Sequence, residues 1–161
     1  MNLGLDARKR QQIVCGLNQY LANLQVLYIK IHNYHWNVVG CNFFDFHAKL
    51  QEIYEYIADE IDKIAERIKM LGCMPIANLE SALRVATIKG APSTNFSAPT
   101  IAQSVVCDFT LIVNQIKKLS KFAGQNCDDY TAGLLSEASG FYEKYIWFFC
   151  AYLTPTCGPC S

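Results

Sequence analysis

The sequence predicts an all-α protein: a four-helix bundle with a short extra helix in the long connection between the second and third helices. Three observations predict it. Four segments of 25 residues or more repeat apolar side chains in alternating steps of three and four, the spacing that puts them on one face of a helix. The connection over residues 73–99 holds Pro75, Gly90, Pro92, Pro99 and a Ser/Thr/Asn cluster, too long for a tight antiparallel turn, so it must cross the bundle. Apolar residues make up 52% of the 161, enough for a real core in one domain.

The elements follow in order. Residues 1–5 form a short tail, and Asp6 is a good N-cap for the first helix. Its stripe is Ile13, Leu17, Tyr20, Leu24, Leu27 and Ile31, and the next step is His35, an ionisable ring where a leucine is expected. Gly40 is the expected stop. The second helix runs from Phe43 to Leu71 and stops at Gly72, with Leu50, Tyr54, Ile57, Ile61, Ile64 and Ile68 inward and His47 at the head. Asn78 opens a short helix inside the crossover. A capping box, Thr100 to Gln103, is expected to open the third helix, which carries Val105, Phe109, Ile112, Ile116 and Leu119 and closes at Gly124. The fourth starts at Asp128 or Asp129, with Leu134, Ala138, Phe141, Tyr145, Phe148 and Tyr152 as its stripe. Residues 155–161 are a non-helical tail ending in Cys157-Gly-Pro-Cys160.

Charge and cysteine usage narrow the function classes. Lys+Arg and Asp+Glu are equal at 14 each, so no net field draws the chain to nucleic acid or anionic lipid. The first residues, MNLGLDARKR, lack an apolar signal region, and the run from Tyr145 to Leu153 is too short to span a bilayer, so a cytoplasmic protein is expected. Eight cysteines in such a compartment are expected to stay reduced, with Cys15, Cys107 and Cys150 as small core residues.

All three histidines, His32, His35 and His47, fall between residues 32 and 47, and Asp62 and Glu66 follow at i,i+4 on the second helix. Imidazole and carboxylate together suit a first-row metal such as iron, and zinc would suit the same ligands. His47 and Asp62 stand fifteen residues apart on one helix, about 22 Å along its axis, so they cannot share a metal within one copy. With no other histidine and no Glu-x-x-His, an antiparallel second chain is the better completion: His35 and His47 of one chain facing Asp62 and Glu66 of the other, two equivalent sites per dimer.

The pattern LYIKIHNYHWNVVG, then NFFDFH, then IDKIAER resembles the Dps family, the mini-ferritins, and the resemblance covers most of the chain. It implies a ferritin-like bundle assembled as a hollow twelve-subunit shell. Ferrous iron is oxidised by hydrogen peroxide, or more slowly by dioxygen, at inter-subunit sites, and the ferric product is stored inside. It implies His35, His47, Asp62 and Glu66 as the ligands, and these same residues as the catalytic set. Where many members carry an aspartate one turn after the second histidine, this chain has Gln51, a weaker and neutral ligand. Asp129 matches a pore aspartate of Dps-like shells, with Asp128 beside it, whereas Gly124 and Gly133 fill two further pore positions. Glu52 and Glu55 are candidates for the cavity wall. The tail pair Cys157 and Cys160 is a candidate soft-metal or disulfide site, although it lacks the strand-to-helix context of a thioredoxin motif. The alternative is a nucleoid-compacting DNA-binding shell with secondary iron chemistry. Its only basic cluster would be Arg8-Lys9-Arg10, and DNA affinity scales with the phosphates neutralised, so weak or absent DNA binding is expected.

Overall fold

The computed structural model describes residues 4–155, so the tail cysteines Cys157 and Cys160 lie outside the described residues. Four long helices and one short one appear in the expected order: α1 (Ala7–Asn37), α2 (Phe43–Met70), α3 (Leu79–Val85), α4 (Ala98–Gln125) and α5 (Asp129–Leu153). Two-residue strands, β1 (Val38–Val39) and β2 (Phe96–Ser97), pair in parallel and tie the exit of α1 to the entry of α4. No helix among the described residues is long and apolar enough to cross a membrane.

The helix ends show how local chemistry sets the boundaries. Asp6 caps α1 by accepting from the backbone N–H groups of Arg8 and Lys9. After α2, Gly72 adopts φ +77°, donating its N–H to Lys69 O, while the Cys73 N–H reaches Ile68 O, so two orphan carbonyls are satisfied. The entry of α4 differs from expectation. The helix begins at Ala98, Ser97 is its N-cap, and Pro99 sits in the first turn, where its missing N–H costs nothing. Thr100 is therefore helical, and its hydroxyl pairs with Ser97 Oγ at 2.8 Å. The exit of α4 also differs. Gly124 remains helical, and the left-handed residue of the closing turn is Cys127, at φ +62°.

The stripes of α1 and α4 are buried as expected, from Ile13 to Ile31 and from Val105 to Ile116. In α5, Ala138 and Tyr145 are buried as expected, whereas Leu135, Tyr142 and Phe149 are buried in place of Leu134, Phe141 and Phe148, and Tyr152 is exposed. Cys15, Cys107 and Cys150 are exposed, not core. They lie on helix faces turned away from the buried stripes, so residue type alone does not place a cysteine in the core.

One polar cluster lies inside the core. The Tyr20 hydroxyl donates to Glu60 Oε1 at 3.3 Å and lies 3.3 Å from the Tyr142 hydroxyl. Glu60 is only 4% exposed, and burial pushes its carboxyl above the usual range. The crossover is fastened to α1 by amide side chains. Asn23, fully buried, accepts from the N–H groups of Thr87 and Ile88 and donates to Thr87 Oγ1 and Gln115 Oε1.

Candidate metal centre

The turn between α1 and α2 folds back so that His35 and His47 meet. Their rings stack with centroids 3.7 Å apart, inclined by 22°. Each ring bonds to the other residue's backbone: His35 Nδ1 to His47 O at 2.7 Å and His47 Nδ1 to His35 O at 2.8 Å. A carbonyl oxygen only accepts, so both Nδ1 atoms carry the hydrogen. The lone pair of each neutral ring is then on Nε2, the arrangement in which a histidine is ready to bind a metal. Burial lowers the His35 pKa from its ordinary 6.5, which keeps the ring neutral and ligand-competent further into acid.

Aromatic rings enclose the pair. Phe43 stacks on His47 at 5.1 Å, and Tyr54 meets His35 edge-on at 5.2 Å. Beyond Tyr54 lies His32, stacked on it at 3.9 Å, with its Nδ1 bonded to Tyr28 O at 2.9 Å. Trp36 adjoins His32 at 5.2 Å and is 67% exposed.

Asp62 and Glu66 are exposed on α2, well away along the helix from His47. Neither carboxylate has an ion-pair partner among the described residues. Arg67, a natural neighbour for them, is instead buried and pairs with Asp128 at 2.6 Å. Its Nε donates to Thr131 Oγ1 at 2.8 Å, and its guanidinium lies over the Tyr130 ring. Among the described residues, no group of three or more His, Cys, Asp or Glu side chains is gathered as a metal site.

The remaining candidates fall in three places. Gln51 is exposed one turn after His47, and its amide nitrogen donates to Glu55 Oε1 at 2.8 Å. Glu52 pairs with Lys49 and accepts from the Tyr145 hydroxyl. Asp128 is buried, caps α5 through Thr131 and holds Arg67, so its carboxylate is not available to a channel lumen; Asp129 is exposed in the first turn. The Arg67–Asp128 pair and the Tyr54–His32 stack went unread in the sequence. Asp128 shows its capping role by its place before Thr131, but nothing in the sequence marks its partner 61 residues earlier.

Along another face, α1 and α3 leave apolar side chains uncovered. Ile29 is 59% exposed, Leu79 68% and Leu83 65%, and with Trp36 they line a groove of about 360 Å³.

A family model described as a ferritin-like domain matches residues 14–156. The DNA protection during starvation protein of Brevibacillus brevis is 40% identical over 144 residues, covering 89% of this chain and 96% of that one. Antigen TpF1 of Treponema pallidum superposes with a TM-score of 0.91 at 31% identity, covering 93% of this chain and 96% of that one. A Dps protein of Vibrio cholerae, described as one of a broad superfamily of ferritin-like diiron-carboxylate proteins, superposes at 0.89 with 34% identity over 93% and 94%.

Proposed function

Since the chain belongs to the Dps branch of the ferritin-like family, we propose that it oxidises ferrous iron with hydrogen peroxide at sites shared between two subunits and stores the ferric product inside a closed homododecameric shell. The observation that carries this reading is the His35–His47 pair, two imidazoles locked as Nδ1–H tautomers with both Nε2 atoms free for a metal. The unpaired Asp62 and Glu66 supply the complementary half. An antiparallel neighbour seated on the apolar groove beside Trp36 would bring its carboxylates to these imidazoles and bury Ile29, Leu79 and Leu83.

The chemistry follows from the ligand set. Neutral imidazole holds ferrous ion, and carboxylates favour the ferric product. Two ferrous ions give two electrons to one peroxide and, with two protons, form two waters, so no hydroxyl radical is released. Glu66 is the carboxylate placed to bridge, and Gln51 is a weak outer ligand. Asp129 is the remaining acidic candidate for an entry channel, and a cytoplasmic location accords with reduced thiols. Iron is the substrate; zinc would compete for the same ligands. Dioxygen serves as the slower oxidant. DNA compaction is the lesser role, because the net charge is zero and Arg8, Lys9 and Arg10 can neutralise few phosphates.

Complementation tests the shared site. His35→Ala and Asp62→Ala shells should each lose saturable peroxide-driven iron oxidation, followed by ferric absorbance. In shells co-assembled from equal amounts, mixed dimers regain one intact site of two, and activity should return to about a quarter of the native level. No recovery in verified mixed dimers would place each site within one subunit and contradict the proposal.

A further inference from the structure

We propose that Glu55 is a positioning residue for the second ferrous ion: it holds the Gln51 amide so that Oε1 faces the His35/His47 site as a ligand. This inference rests on the iron-oxidising reading above and deepens it. Reduction of peroxide to water takes two electrons, so two ferrous ions must be held together. A single ion gives one electron and yields ferric ion, hydroxide and hydroxyl radical. Two imidazoles and two carboxylates are a thin ligand set for two such ions. A further oxygen from the turn after His47 would complete the second position, and the residue there is Gln51, whose amide is neutral.

The helix brings the parts into line. His47, Gln51 and Glu55 stand at i, i+4 and i+8 on α2, one above another on the same face. Gln51 Nε2 donates to Glu55 Oε1 at 2.8 Å. That bond takes up the nitrogen end of the amide on the side away from His47, which leaves Oε1 to face the histidine turn. Glu55 is exposed and makes no ion pair among the described residues. Glu52, the other acid of this stretch, is engaged by Lys49 and by the Tyr145 hydroxyl.

Two effects follow from the bond. It removes the rotation by which a free glutamine would present either end of its amide to the ion. It also draws the amide electrons toward Oε1, because an anionic acceptor polarises the N–H, so the oxygen becomes a stronger ligand. Outer carboxylates act in this way on histidine ligands of metal sites, where losing the partner costs about 10–100-fold in metal affinity. A carboxylate at position 51 would need no such help. The weak ligand and its acidic partner are therefore one device, spread over two turns of α2.

Anaerobic ferrous titration of assembled shells reads the two positions as two binding steps per site. Glu55→Ala should leave the first step in place and weaken the second about 10-fold or more. Gln51→Ala should weaken the second step as well, and the double variant no further than Gln51→Ala alone, because Glu55 acts only through that amide. Glu55→Gln still accepts from Gln51 but carries no charge, so its second step should fall between native and Glu55→Ala. Gln51→Asp combined with Glu55→Ala should restore the second step. Both residues are exposed, so circular dichroism should be unchanged in every variant. A native titration with one step, an unweakened second step in Glu55→Ala, or a Glu55→Ala effect of equal size with and without Gln51 overturns this inference alone. If His35→Ala removes neither step, the shared-site reading falls with it.

Discussion

His35 sits where the α1 stripe calls for an apolar side chain, and its ring is buried to 7% exposure. The cost of burying it is met by the His47 carbonyl, which also fixes the tautomer. One hydrogen bond thus serves both stability and metal readiness. Glu60 is a buried acid of a different kind, because nothing in the proposed chemistry uses it. Burial raises its pKa above 4.5; the nearby Lys63 charge and the Tyr20 hydroxyl oppose that shift without cancelling it. A raised folded-state pKa means the contribution to stability is full below the unfolded value and is lost as pH rises through the folded one. Glu60→Gln keeps an oxygen to accept from Tyr20 and cannot ionise. The variant should therefore gain stability over the native chain as pH rises above the ordinary carboxylate range, read as a growing difference in urea midpoint. A difference that stays constant as pH rises would mean that the Glu60 carboxyl is not raised in the folded state above its unfolded value.

At the scale of elements, the sequence made helix existence and order legible and left one register open. In α5 the pairs Phe141/Tyr142 and Phe148/Phe149 offer two adjacent apolar stripes, and periodicity cannot choose between them. Packing chooses: Tyr142 enters the core against Tyr20 and Phe109, while Phe141 stacks on Tyr56 at 3.5 Å. The four proposed ligands stand out in the sequence by residue type, by spacing and by the family resemblance of the motifs that carry them. The Tyr54–His32 stack, the Glu60 cluster and the Arg67–Asp128 pair do not, because each depends on how helices turn against one another. The crossover is likewise held by contacts that no local pattern shows. Asn23 answers two backbone N–H groups of residues 87 and 88 from the middle of α1. Asn23→Ala strands a buried donor at Ile88 and a part-buried one at Thr87, and should cost about 2–3 kcal/mol. Denaturant titration reads the loss, and hydrogen exchange should show faster turnover at Thr87 and Ile88 first. Unchanged exchange there would mean that the crossover is held by its apolar contacts alone.

For the whole molecule, charge and apolar surface point in different directions. Net charge is zero, and Arg8, Lys9 and Arg10 lie within α1 and not on a free arm, with Lys9 resting over the Phe122 ring. Few phosphates can be neutralised, so any gel shift of duplex DNA at about 50 mM salt should vanish by about 200 mM. Binding that survives the higher salt would favour a nucleoid role. The apolar surface instead asks for a second copy of the chain. Leu79 and Leu83 stand on α3, one turn apart, and Ile29 and Trp36 face the same groove. None of the four belongs to the subunit's own core, so Leu79→Glu with Leu83→Glu should leave the helical content of the subunit intact. In the proposed assembly, the same pair of charges would be buried against an apolar neighbour, at a cost of several kcal/mol per carboxylate. Light scattering should then show smaller species in place of the shell, with circular dichroism unchanged. Iron oxidation should fall in step with the lost dimer, although His35, His47, Asp62 and Glu66 are all still present. Full activity in a dissociated, folded subunit would show that each copy assembles its own metal centre.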